Sequence, residues 1–109
     1  MCNAGCAPQK VTDRAVHILR LTIEFQLPAC HSLKDKRRRL GGLREKFGSK
    51  PNVAVTESAW HDIHDRANWT FVIVGENLRI IESLQEQIQT YASQSVDALV
   101  THSSREYLH

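Results

Sequence analysis

The fold is decided by the stretch LRLTIEFQL, residues 19–27, in which apolar and polar side chains alternate without a break. Such alternation places all the apolar side chains on one face of an extended chain, so it predicts a half-buried β-strand. Pro28 ends this strand because proline has no N–H to contribute to a sheet. A second strand is predicted from Val53 toward Trp60. A third over residues 69–74 is apolar on both faces near its end, as an interior strand is.

Two segments with helical spacing lie between these strands and the end of the chain. The first begins at Ser32, which precedes Asp35 by three residues in the weaker Asp form of a capping box, and it ends at Gly48 before Pro51. Its apolar stripe consists of Leu33, Leu40, Leu43 and Phe47. The second helix follows Asn77, a residue type that caps helices. Its apolar face consists of Leu78, Ile81, Leu84 and Ile88.

A weakly patterned last strand over residues 97–106 completes the order βαββαβ. This order is typical of a ferredoxin-like sandwich, an α+β fold in which a four-stranded antiparallel sheet carries two helices on one face. The spatial order 4-1-3-2 places the two most apolar strands, the first and the third, in the middle. We therefore predict a single ferredoxin-like domain over residues 14–109, preceded by a flexible leader over residues 1–13.

The pair Gly41-Gly42 lies in the middle of the first predicted helix, where each glycine costs about 1 kcal/mol relative to alanine. One interpretation is that the helix continues through the pair, which is then a tolerated weakness or the place where a neighbouring element approaches closely. The other interpretation is a break into two short helices.

Composition excludes several classes of protein. The 109 residues are enough for one domain, and 41% of them are apolar while 24% are charged. No apolar run approaches the roughly 20 residues of a membrane span, and the first residues lack the apolar core of a secretory signal. The three cysteines, Cys2, Cys6 and Cys30, suit reduced thiols better than a disulfide framework because their number is odd. We therefore expect a cytoplasmic protein with no membrane partner.

Basic residues are concentrated in the first helix. Residues 31–50 include eight Lys and Arg residues and two acidic residues, which gives this segment a net charge of +6. The whole chain has a net charge of +2, so the remaining residues have a net charge of −4. With a rotation of 100° per residue, Arg37 and Arg44 share one shoulder of the helix, and Arg39 and Lys46 share the other. The candidate nucleic-acid contacts are Lys34, Arg37, Arg38, Arg39 and Lys46. An ordinary solvated helix face is the alternative.

Lys36 is the one basic residue that falls within the apolar stripe of this helix. Its ammonium group must either reach past the helix start or pair with a carboxylate. Glu24 and Glu57 are the candidate partners, and Lys36–Glu57 is our candidate structural ion pair. This position indicates an architectural role for Lys36 rather than a ligand-binding one.

No catalytic motif is present, since the chain has no nucleophile elbow, P-loop, dinucleotide fingerprint or HExxH sequence. The best cluster is HDIHDR, residues 61–66, whose His61 and His64 suit zinc or a general base, although a solvated loop is the more usual interpretation. Trp60 and Trp69 suit stacking on bases but are more often core or dimer contacts. We expect no enzymatic activity, no cofactor, no metal and no small-molecule ligand.

The run SLKDKRR, residues 32–38, resembles the S-L-K-x-K-R-R segment of the YlxP-like family of small bacterial proteins of unknown function. The segment from Val53 to the apolar run 71–74 looks like that family's middle segment, and the resemblance extends over residues 16–108. The chain departs from the family pattern in its leader, at Gly41-Gly42, where bulkier residues are usual, and at His64, where Trp is usual.

The resemblance implies a ferredoxin-like fold and no established activity. Genes of the family commonly lie beside those for a translation initiation factor and ribosome-binding factor A, which implies a ribosome-related role by association. Our first hypothesis is a small non-enzymatic protein that binds RNA or the ribosome through its first helix. The alternative is a homodimeric interaction module that buries Trp60 or Trp69, and the weakest hypothesis is a metal-dependent hydrolase at His61 and His64.

Overall fold

The computed structural model describes residues 16–109, so the predicted leader, with Cys2 and Cys6, lies outside the described residues. The elements in chain order are β1 (His17–Gln26), α1 (Leu33–Phe47), β2 (Val53–Ala59), β3 (Arg66–Gly75), α2 (Leu78–Gln94) and β4 (Leu99–Tyr107). Every strand pairing is antiparallel, in the spatial order β2-β3-β1-β4. The predicted ferredoxin-like sandwich is confirmed, with the first and third strands in the middle. Neither helix of this part of the chain has the length and apolar character that crossing a membrane requires.

The core lies between one face of the sheet and the two helices. The sheet contributes alternate residues of β1 and β3, among them Leu21, Phe25, Trp69, Phe71 and Ile73. The helices contribute Leu40, Leu43, Phe47, Ile81, Leu84 and Ile88. The predicted apolar stripes are therefore the buried ones, except at their first residues, because Leu33 is only half-buried and Leu78 is exposed.

Both helices begin at their predicted caps. The Ser32 hydroxyl accepts the backbone N–H of Asp35 at 3.1 Å, and the Asn77 side chain accepts a backbone N–H two residues later at 2.9 Å. Within the described contacts, the Asp35 carboxylate binds the guanidinium groups of Arg38 and Arg39 rather than the helix start. Only one half of the predicted capping box is therefore formed.

Helix α1 continues through Gly41-Gly42 without a break. The two glycines have different surroundings. A Cβ atom on Gly42 would collide with the hydroxyl oxygen of Tyr91, so the glycine leaves room for the end of this α2 side chain beside α1. A Cβ atom on Gly41 would meet nothing within 4 Å, because an open pocket lies beside it. Of the two interpretations, the continuous helix is the one observed.

Strand β4 differs from the others because none of its residues is buried. Within residues 16–109 it forms one edge of the sheet and pairs only with β1, with a register shift after Glu24. Its contact with α2 is polar, as where Arg105 donates to Gln85 Oε1 at 2.6 Å. This end of the sheet is consequently little covered by the helices, which explains why its sequence is weakly patterned.

Candidate nucleic-acid interface

The solvent side of α1 carries cations that have no carboxylate partner among residues 16–109. Lys34 and Arg37 are exposed and form no ion pair within this part of the chain. Arg44 is also exposed, and its guanidinium lies 5.4 Å from the centroid of the Trp69 ring. Together with Arg38, these three residues form what we call the cationic face: Lys34, Arg37, Arg38 and Arg44.

Asp35, one of the two acidic residues of α1, is shared between two arginines. Its Oδ1 accepts a hydrogen bond from Arg38, and its Oδ2 accepts one from Arg39 Nε at 3.0 Å. The hydrogen bond from Arg38 is the largest influence on Asp35 and, with the charge of Arg39, it lowers the pKa of this carboxyl. The Arg38 side chain is nevertheless 71% exposed, so its guanidinium remains accessible.

Arg39 is already satisfied within the chain. Its guanidinium donates to the carbonyl oxygens of Pro28 at 2.9 Å and Ala29 at 3.3 Å, and its Nε lies 3.6 Å from Asp97 Oδ2. With the bond to Asp35, these contacts leave only 11% of its side chain exposed. Arg39 therefore ties the β1–α1 connection to the helix, and its geometry removes it from the candidate phosphate contacts.

Lys46 lies on the shoulder of α1 that faces α2. Its ammonium nitrogen is 5.4 Å from the centroid of the Tyr91 ring and 5.9 Å from that of Phe47. Nine residues of helix separate it from Arg37, a rotation of about 180°. Lys46 is an exposed cation, but it does not belong to the same surface as the cationic face.

The structure brings Lys36 and Glu57 together beneath α1. Lys36 is 3% exposed, and its Nζ forms an ion pair with Glu57 Oε2 at 2.8 Å. The same Nζ donates to the carbonyl oxygens of Trp60 at 2.7 Å and Ile63 at 2.8 Å. Glu24, the other predicted partner, is excluded because it lies on the face of the sheet opposite the helices.

These contacts shape the connection between β2 and β3. Trp60 has a φ of 61°, a left-handed conformation that is strained for a residue with a large side chain. Its ring lies 4.2 Å from the Arg66 guanidinium, and the nearby His61 Nε2 is 2.8 Å from the Glu57 carbonyl oxygen. The predicted solvated loop is thus a turn held against α1 by Lys36.

His61 and His64 are both exposed in this turn. Over residues 16–109, His, Cys, Asp and Glu side chains do not converge in groups of three or more that would hold a metal ion. The described part of the chain therefore supplies no ligand set for the zinc hypothesis at these histidines.

A pocket of about 330 Å³ lies between α1 and the neighbouring strands. Buried and half-buried residues form its walls, namely Leu33, Lys36, Leu40, Gly41, Glu57 and Trp69. Exposed residues surround its opening, namely Arg37, Arg44, Glu45 and His61. The pocket thus opens on the same shoulder of α1 as two members of the cationic face.

Two residues of this region, Gly41 and Arg44, were not among the predicted site residues. A signal for them existed, since Arg37, Gly41 and Arg44 recur at i, i+4 and i+7 and therefore lie in one row along the helix. Trp69 was placed correctly in the core, but the sequence does not reveal that its indole also lines a pocket.

Comparison with known structures identifies relatives of the fold. Protein YJCS has 7% sequence identity and a TM-score of 0.53, over 84% of this chain and 99% of that one. A dabb family protein with a ferredoxin-like fold from Mesorhizobium loti has 15% identity and a TM-score of 0.49, over 85% and 96% of the two chains. YXEP of Bacillus subtilis, a dinuclear metal binding peptidase of the M20 family, has 13% identity and a TM-score of 0.48. The similarity to the peptidase extends over 84% of this chain but over only 25% of the peptidase chain.

The likeness to protein YJCS indicates a shared fold and says nothing about activity, because the two sequences are only 7% identical. No curated protein matches the chain in sequence. One family model does match, over residues 18–105, and it is described as a protein of unknown function, DUF503. Because this match spans nearly all of the described sheet and both helices, the chain belongs to the DUF503 family.

Proposed function

We propose that this DUF503 member is a YlxP-like, non-enzymatic RNA-binding protein, and that ribosomal RNA is its target. The observation that carries the proposal is the cationic face, where Lys34 and Arg37 have no carboxylate partner in the described chain and Arg38 stays 71% exposed. Exposed Lys and Arg side chains bind RNA phosphates and release the counterions that surround them. The resemblance to the YlxP-like family, whose genes lie beside translation genes, favours the ribosomal target.

The distribution of charge also supports this function. The segment 31–50 has a net charge of +6 while the remainder of the chain has −4. A basic helix on an acidic body attracts a polyanion to one side of the molecule and repels it from the other. The proposal therefore predicts an oriented complex with α1 against the phosphates.

The triple substitution Lys34→Ala/Arg37→Ala/Arg38→Ala is expected to weaken binding to ribosomal RNA. The slope of log affinity against log salt concentration should fall by about two to three units, because roughly one unit is lost for each phosphate contact. Filter binding at several salt concentrations measures both the affinity and the slope.

The matched control removes three cations from outside the cationic face, as Lys46→Ala/Lys50→Ala/Arg79→Ala. This variant has the same net charge as the first, and we expect it to keep most of the affinity. Equal losses in the two triple variants would show that net charge alone matters, and salt-independent binding of the wild type would also contradict the proposal.

A second candidate function is homodimerisation, which the exposure of β4 favours. Leu99 is 57% exposed at the start of this edge strand, and Leu108 is 51% exposed just after its end. An edge strand with uncovered apolar residues is a ready surface for pairing with the same strand of a second copy. The expected dimer contact at Trp69 is not available, because this residue is only 5% exposed beneath α1.

Light scattering tests this second candidate directly. Pairing through β4 should give twice the 12.4 kDa mass of the chain, and Val100→Lys should restore the monomer by placing a charge within the contact. Thr56→Lys, on the opposite edge strand, is the control and should leave the dimer intact. A wild-type protein that stays monomeric at its highest soluble concentration would rule the dimer out.

A further inference from the structure

The pocket beside Gly41 is continuous with the cationic face, because Arg37 lines both the pocket and the surface groove formed with Lys34 and Arg38. Its volume of about 330 Å³ is at the lower end of small-ligand sites, which span roughly 300–1,000 Å³. A site of this size suits one small ring system. The ring would lie beside the backbone of Gly41, where no side chain occupies the space.

One buried polar atom of a pocket-lining residue has no hydrogen-bond partner within the described chain. This atom is Trp69 Nε1, whereas Glu57 Oε2 is ion-paired with Lys36 Nζ at 2.8 Å. Buried polar groups are normally satisfied, and an unsatisfied one points to a missing partner. A ligand that completes this site therefore offers an acceptor to the Trp69 N–H, and an N–H donor on the same ligand would add a hydrogen bond to the Glu57 carboxylate.

Negative charge lies at the inner end of the pocket and a net positive charge lies at its opening. The Glu57 carboxylate is the inner acceptor, with its side chain 20% exposed, whereas the opening has the exposed guanidinium groups of Arg37 and Arg44 against one carboxylate, that of Glu45. This arrangement favours a ligand with a donor at its inner end and an anion at its outer end. The apolar walls, which include Leu40 and Trp69, favour a flat body between the two.

A nucleotide with an exocyclic amino group has this combination of groups. We propose that the pocket holds one unstacked nucleotide, with its base beside Gly41, its amino group donating to Glu57, and its phosphate against Arg37 and Arg44. The assignment rests on the proposed RNA-binding function, because the cationic face would then hold the neighbouring phosphates of the same single strand. A free nucleotide has the same chemistry, so the experiment includes both sources.

The test compares the wild type with Gly41→Leu, which fills the pocket without altering any charge. The variant should fold, because the added Cβ meets nothing within 4 Å and leucine favours helix more than glycine does. The probes are oligo(C), oligo(U), an RNA duplex of matched charge, and cytidine monophosphate. Ser93→Leu, which adds the same side chain to an exposed position of α2, is the control.

We expect the wild type to bind oligo(C) about tenfold more tightly than oligo(U), because a carboxylate accepts from the cytosine amino group but not from the uracil carbonyl. Gly41→Leu should weaken oligo(C) binding about tenfold and abolish this preference, since it displaces the base. Duplex binding should be equal in the wild type and both leucine variants, because a paired base cannot enter the pocket.

The remaining outcomes separate this inference from the proposed function. Duplex binding without any difference between oligo(C) and oligo(U), or without any effect of Gly41→Leu, would overturn the pocket assignment and leave RNA binding by the cationic face standing. Binding of cytidine monophosphate that Gly41→Leu abolishes, with no RNA binding, would support the pocket and overturn the proposed function. Absence of binding to all four probes would overturn both.

Discussion

Replacing Lys36 with methionine is expected to reduce the free energy of unfolding by about 3–5 kcal/mol, a large share of the 5–15 kcal/mol typical of a domain. Methionine has a similar volume but cannot donate a hydrogen bond, so the carbonyl oxygens of Trp60 and Ile63 lose their contacts with Nζ, which are 2.7 and 2.8 Å long. The Glu57 carboxylate, only 20% exposed, loses its counterion. Equilibrium unfolding in urea measures the loss.

Two further variants show whether the loss comes from the broken ion pair. The double substitution Lys36→Met/Glu57→Leu should recover much of the stability, because an apolar pair of similar volume leaves no buried charge. Lys34→Met, two residues away on the exposed side of α1, should change stability by less than about 0.5 kcal/mol. A Lys36→Met protein as stable as Lys34→Met would contradict the structural role that we assign to Lys36.

The part of the structure that follows from local periodicity was predictable. The alternation over residues 19–27 and the helical spacing of Leu40, Leu43 and Phe47 depend on geometry within a few residues, and the structure buries those side chains. Lys36 was predictable for a related reason, since a cation inside an apolar stripe requires a partner. The alternation in β1 also places Glu24 on the face of the sheet away from the helices, so the same periodicity favours Glu57, the partner that the structure shows.

The pocket and the state of Arg39 were not predictable in this way. Arg39 is neutralised in part by Asp97, which the tertiary fold brings near it from beyond α2. The pocket exists because α1 lies beside β2 with no side chain at Gly41, and helical periodicity carries no information about that lateral spacing. Surface charges and gaps between elements are properties of the assembled fold, so a charge count over residues 31–50 indicates a basic helix without identifying its free cations.

Replacing Phe47 with alanine is also expected to reduce stability by about 3–5 kcal/mol, because it removes a large side chain from a closed core. Phe47 is 0% exposed and contacts both the sheet and the other helix through edge-to-face rings, with centroid distances of 6.2 Å to Phe71 and 5.6 Å to Tyr91. It is the last residue of α1, so its removal leaves a cavity where α1, α2 and the sheet meet. Urea unfolding should show a lower midpoint with an unchanged slope.

A double-mutant cycle with Tyr91→Ala separates the aromatic contact from the cavity. The coupling energy between the two positions should be about 0.5–1.5 kcal/mol, the usual range for edge-to-face pairs. Phe47→Leu should cost less stability than Phe47→Ala, because leucine fills more of the cavity. Strict additivity would show that the rings do not interact. A measurable coupling would show that the Phe47 and Tyr91 rings stabilise the packing of α1 against α2. Part of the stability with which α1, and its cationic face, is held on the sheet would then come from this contact.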